Sequence, residues 1–224
     1  ISVRRAALLA VTGLCGDGGG GVPAAIATCV DDIHALLQHE SPDAREMSAR
    51  ALAAMEEHAD QSKLVTLLED EEPDVRSAAA DSLARLSAQH ADTPTASAMA
   101  TLLAESEDEE VRALAAVTLG RLDAANSVGA FTSALEDDAG SVRSAAAAAL
   151  GALKECVGNT DVADAIASLL EDSEPDVRAA SCTALASLRA TVHADTIAEM
   201  IGDRNKFVRE AAAAATRRFE ELED

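Results

Sequence analysis

A valine–arginine pair recurs along this chain and sets what it can fold into. Val3-Arg4, Val75-Arg76, Val111-Arg112, Val142-Arg143, Val177-Arg178 and Val208-Arg209 carry the pair, with Ala44-Arg45 as a weaker copy. The steps from one Arg to the next are 41, 31, 36, 31, 35 and 31 residues. A period of this size suits a unit of two helices and two turns. One such unit cannot cover its own apolar face, so neighbouring units must stack.

With the first Val or Ala of each copy as zero, offsets +3, +4, +7, +8 and +11 share one helical face. They read Ala78, Ala79, Ser82, Leu83, Leu86; then Leu114, Ala115, Thr118, Leu119, Leu122; then Ala145, Ala146, Ala149, Leu150, Leu153; then Ala180, Ser181, Ala184, Leu185, Leu188. Residues near the start are mostly small and those near the end are Leu. Small residues allow close helix approach, and Leu fills the wider space beyond. Pro42-Asp43, Pro73-Asp74 and Pro175-Asp176 mark helix starts, with Asp read as the capping residue. A second helical pattern precedes each turn, over Ser62 to Leu68, Ala96 to Leu103, Val128 to Leu135, Val162 to Leu170 and Thr196 to Ile201. Each unit is therefore helix A, a short acidic turn and helix B.

Composition agrees. Alanine, the best helix former, supplies 52 of 224 residues, and there are three Phe, no Trp and no Tyr. Strands want the β-branched and aromatic residues that are scarce here. The expected fold is all-α.

The segments "EPDVRSAAADSLARL", "DEEVRALAAVTLGRL", "AGSVRSAAAAALGAL" and "EPDVRAASCTALASL" resemble HEAT repeats, of the subclass first described in phycobilisome lyase subunits. The resemblance implies a right-handed α-solenoid of about six and a half repeats, with B helices lining a concave face. It also implies a ladder between Arg at offset +1 (Arg45, Arg76, Arg112, Arg143, Arg178, Arg209) and acids at −1 (Asp43, Asp74, Glu110, Asp176). Ser2, Ser141 and Phe207 depart from the acidic half, so interruptions are expected there. The expected domain is a single solenoid over 1–224. It has a half repeat at 1–16, a Gly-rich connection at 16–23, and units near 22–58, 60–90, 93–124, 126–157, 159–190 and 192–224. An open half unit at Ile1 would favour end-to-end self-association. The chain begins with Ile and reads as cut from a longer one.

Forty acidic residues against 18 basic ones give a net charge of −22, and only Lys63, Lys154 and Lys206 are lysines. Such a surface repels polyphosphate, and the lack of aromatics removes stacking platforms, so nucleic acid is not an expected partner. No apolar run approaches the ~20 residues of a membrane helix. Acid excess with almost no Lys fits a halophilic archaeal protein, where salt screens self-repulsion. The A-to-B turns hold 17 of the 40 carboxylates and read as a solvated edge. Cys15, Cys29, Cys156 and Cys182 have no CxxC spacing and read as reduced thiols of a cytoplasmic protein.

Candidate chemistry is thin. Di-iron proteins of this repeat class carry His-Glu pairs early in B helices. Here the one such pair, His39-Glu40, ends a helix A, and Ser77-Ala78, Ala113-Leu114, Ser144-Ala145, Ala179-Ala180 and Glu210-Ala211 hold the equivalent positions. Gly18 to Gly21 lack the Lys-Ser/Thr of a phosphate loop. No catalytic, cofactor or metal residue is expected. Phe131, Phe207 and Phe219 read as core fillers. Offsets +6 and +10 should face the concave side. There Arg50, Arg85 and Arg121 form a row suited to an acidic segment, followed by Val117, Thr183 and Ser187. The expected function is a non-catalytic scaffold for a peptide or protein partner. The alternative is a lyase-like or chaperone subunit assisting cofactor attachment.

Overall fold

The computed structural model describes residues 30–54, 60–87, 94–122 and 125–223. Every regular element among them is helical: α1 (Val30–Leu36), α2 (Pro42–Ala54), α3 (Gln61–Thr66), α4 (Pro73–Ser87), α5 (Pro94–Glu105), α6 (Glu109–Arg121), α7 (Val128–Ala134), α8 (Gly140–Ala152), α9 (Thr160–Ala167), α10 (Pro175–Ser187), α11 (Ala194–Glu199) and α12 (Lys206–Glu223). Odd-numbered helices are the A helices and even-numbered ones the B helices of an α-solenoid. The half repeat and the Gly-rich connection expected over 1–23 lie outside the described residues, and so does the end-to-end contact expected there. Chain contacts cluster into two compact units, residues 1–99 and 100–224.

Within each unit the B helices stack in chain order, α2 on α4 in the first and α6, α8, α10 and α12 in the second. Offsets 0, +4, +7, +8 and +11 form the core, as in Val142, Ala146, Ala149, Leu150 and Leu153. Offset +5 is buried as well (Ala80, Ala116, Ala147, Cys182), so each of these helices is covered on two sides. Offset +3 is not core in the second unit: Leu114, Ala145 and Ala180 are half-buried. The A helices add Leu64, Met99, Phe131, Ile166 and Ile197. Phe131 and Phe219 are core residues, but Phe207 is 65% exposed. It precedes the buried Val208 by one position, and a 100° helical step carries it off the core face.

Several A helices close with a tighter turn, Leu67–Glu69 after α3, Ser168–Glu171 after α9 and Met200–Gly202 after α11. Each leaves an extended Asp behind: Asp70, Asp172 and Asp203, with ψ of 145°, 148° and 147°. Each of these carboxylates accepts the N–H two residues on, from Glu72, Glu174 and Asn205 at 3.0, 2.8 and 2.7 Å. Asp137 does the same with Ala139 at 2.9 Å. An Asp side chain bonding its own backbone in this way fixes the A-to-B turn.

These aspartates, rather than the acids at −1, receive Arg45, Arg112, Arg143 and Arg178. Arg45 grips Asp70 with two parallel bonds, Nε to Oδ2 at 2.7 Å and Nη2 to Oδ1 at 2.8 Å. Arg112 holds Asp137 (2.8 and 2.9 Å), Arg143 holds Asp172 (2.7 and 2.8 Å), and Arg178 holds Asp203 (2.9 and 3.0 Å) in the same way. The remaining nitrogen, Nη1, donates backwards to the two carbonyls of the arginine's own turn, as Arg143 does to Asp137 at 2.7 Å and Asp138 at 2.9 Å. Arg76 and Arg209 bond their own turns likewise. One planar guanidinium thus closes its own turn and fastens the next repeat.

The expected ladder acids are displaced for a simple reason. Proline lacks an N–H and starts a helix at its first position, where that donor has no partner. Pro42, Pro73 and Pro175 are the first residues of α2, α4 and α10, so Asp43, Asp74 and Asp176 fall inside the first turn and do not cap it. Glu110 likewise is the second residue of α6, behind its cap Asp108. The acids at −1 therefore lie on the helix, while the ladder Asp sits five residues before each register Val. Ser106 occupies that place in the repeat of Arg112.

Electrostatics follow the geometry. The Arg112 hydrogen bonds hold the Asp137 carboxyl below its ordinary range, against the pull of burial. Arg143 does so for Asp172, and Arg178 for Asp203. Burial pushes Asp70 up, but Arg45, the Glu72 N–H and the Arg76 charge together bring it below the usual value.

Candidate functional site

In the second unit the B helices meet so closely that glycine is required between them. A Cβ on Gly151 would lie 2.6 Å from Ala184 Cα, and one on Gly120 would lie 2.8 Å from Ala149 Cβ. Beside these contacts, on the exposed side of α6, α8 and α10, lies a groove lined by small side chains together with Leu114 and Val117. It has a volume of about 750 Å³. Its floor is Ala113, Leu114, Val117, Ala145, Ala148 and Ala180. Its rim carries Glu110, Glu174 and Asp176, together with Ser141 and Ser144. A second hollow of about 440 Å³ continues from it between α8 and α10, sharing Ala148 and Ala180 and reaching Thr183 and Ser187.

Of the six expected contact residues, Val117, Thr183 and Ser187 line this face. Val117 is 46% exposed, a large apolar side chain left open to solvent. The Thr183 hydroxyl donates back to the Ala179 carbonyl at 3.0 Å. Arg121 is exposed on α6 but lies outside the lining. Arg50 and Arg85 belong to the first unit; both are exposed, and Arg50 Nε donates to Glu46 at 3.1 Å. The sequence reading missed the offsets −1, +2 and +3 of this face. A signal was present, because small residues recur at +2 (Ala113, Ser144, Ala179) without being needed in the core.

All charged residues lining the groove are acidic. The nearby Arg143 is committed to Asp172 and to its own turn. Among the described residues no three His, Cys, Asp or Glu side chains form a metal-binding group. Cys156 and Cys182 are free thiols raised in pKa by burial, Cys182 to about 11. No helix among the described residues is long and apolar enough to cross a membrane.

Stacked helical hairpins tied by an Arg–Asp ladder, with one open B-helix face, define a repeat scaffold. The HEAT-repeat family model matches residues 1–84, 96–164 and 152–217, and the chain belongs to that family. No curated protein sequence matches it. An engineered protein of known crystal structure is similar in fold, with a TM-score of 0.60 at 19% identity over 86% of this chain and 96% of its own. YibA of Escherichia coli gives a TM-score of 0.60 at 17% identity over 99% of this chain and 79% of its own. A designed armadillo repeat protein gives 0.54 at 18% identity over 85% and 99%.

Proposed function

We propose that this protein is a non-catalytic scaffold that holds a polypeptide partner on the B-helix face of its second unit. The observation that carries the reading is the groove itself, an open apolar floor including the exposed Val117, with a polar rim. Solvent-exposed apolar surface bounded by polar groups is what a docking site presents. The lining offers no His, Cys or aromatic group for chemistry or for a flat cofactor, which favours a polypeptide over a cofactor as the guest. HEAT repeats commonly serve protein interaction, in keeping with this reading.

The test is to fill the groove. Ala148 is exposed at its centre, so Ala148→Trp occupies the floor without entering the core. Native-salt lysate of the host is passed over immobilised wild type and variant of equal thermal stability. At least one polypeptide retained by the wild type should be absent from the variant. Identical retained sets would end the reading.

A further inference from the structure

Resting on that reading, we infer that the groove selects an extended basic segment, with lysine or arginine recurring about every six residues. The argument is one of charge and spacing. Glu110 and Asp176 occupy the same offset on α6 and α10, and Glu174 lies just ahead of Asp176. Packed helices lie about 8–10 Å apart, so two spacings separate these acids by about 16–20 Å. An extended chain advances about 3.3 Å per residue, so about five to six residues span that distance. An even interval returns side chains to the same face, so two basic residues six apart reach both rims together. Between them the floor offers Ala145 and Ala148, and Ser141 stands at the middle of the rim.

Charge complementarity favours a cationic guest. Every charged residue of the rim is acidic, and a groove with low-dielectric walls focuses the field of the −22 chain. Arg112, Arg143 and Arg178 are each forked onto a ladder Asp with side chains only 16%, 14% and 7% exposed, so their hydrogen bonds go to the ladder, although the Arg143 charge also acts on Glu174.

The experiment uses fluorescence polarisation with the whole chain and labelled Ala/Ser peptides of about 18 residues. One peptide carries Lys at every sixth position and its counterpart carries Glu. Three variants are compared: E174Q/D176N, A148W, and E220Q/E221Q, which removes two exposed charges from α12 outside the groove. The Lys peptide should bind saturably and weaken about fivefold or more in E174Q/D176N, with little change in E220Q/E221Q. The Glu peptide should not bind. Equal weakening by both charge pairs, equal binding of the Glu peptide, or no saturable Lys-peptide binding overturns the inference. Binding of both peptides that A148W abolishes keeps the groove and removes its charge preference. Lys-peptide binding untouched by A148W removes the groove reading itself.

Discussion

Arg45, Arg112, Arg143 and Arg178 each make four hydrogen bonds from one side chain, two to the arginine's own turn and two to the next repeat. Losing the carboxylate leaves a guanidinium half-buried with only carbonyls for company, which is costly. Asp172→Ala should therefore lower unfolding free energy by about 2–4 kcal/mol, and Asp176→Ala, an exposed acid two residues into α10, by well under about 1 kcal/mol. Urea unfolding followed by circular dichroism separates the two, and equal losses would contradict the geometry. The same aspartates set the acid limit. Asp70, Asp137, Asp172 and Asp203 have carboxyl pKa values below those of the unfolded chain. As pH falls below about 4 the unfolded chain takes up their protons first, so the stability they confer is lost as pH drops through the folded values. It is fully present above the unfolded pKa. Unfolding should set in below about pH 4, with Asp172→Asn flattening the loss. A cysteine prediction belongs at this scale too. Cys156 and Cys182 are buried, and burial raises both thiols, Cys182 to about 11. In a Cys15→Ser, Cys29→Ser background, a thiol reagent at pH 8 should label neither site until denaturant is added.

At the level of the elements, close approach outweighs propensity. Alanine is favoured over glycine in a helix interior by about 1 kcal/mol, so Gly151→Ala would stabilise an isolated α8. In the stack, the new methyl meets Ala184 backbone at 2.6 Å, and backbone cannot turn aside. Gly151→Ala should lower Tm, while Gly129→Ala, whose added Cβ meets nothing within 4 Å, should hold or raise it. Scanning calorimetry decides between them. Much of this was legible beforehand. The periodicity of Val142, Ala146, Leu150 and Leu153 located the core of the B helices, and the apolar stretches from Val128 and Val162 located A helices. What escaped is what depends on turns. Pro-Asp reads as a cap from composition alone, yet the missing proline N–H moves the helix start two residues earlier, and the ladder passes to the Asp five residues before the register Val, to which the sequence reading gave no ladder role. The groove was legible only in part for a related reason. Offsets +6 and +10 point outward on any such helix, whereas the opening between neighbours at +2 and +3 depends on how small the contact residues are.

For the whole molecule, the question is what 40 carboxylates do once the ladder has taken its share. Of the 17 in the A-to-B turns, Asp70, Asp137 and Asp172 are half-buried and bear guanidiniums, while the other fourteen are exposed to water. Those fourteen crowd short turns, so they repel one another within each turn and, in the second unit, between successive turns. At low ionic strength this opposes folding, since the unfolded chain spreads the same charges farther apart. At 1 M salt the screening length falls to about 3 Å, shorter than the spacing between turns, and the opposition disappears. The bidentate pairs, being close and partly shielded, keep most of their value under the same screening. Tm should therefore rise by about 10 °C or more between 0.1 M and 2 M KCl, with NaCl equally effective at equal strength. Replacing Glu71, Glu72, Glu107 and Glu109 by Gln should raise Tm at low salt and shrink the salt response. A Tm flat across that range, or a variant with an undiminished response, would show that the acidic turns are not the seat of the repulsion and that the lysine-poor surface has some other cause.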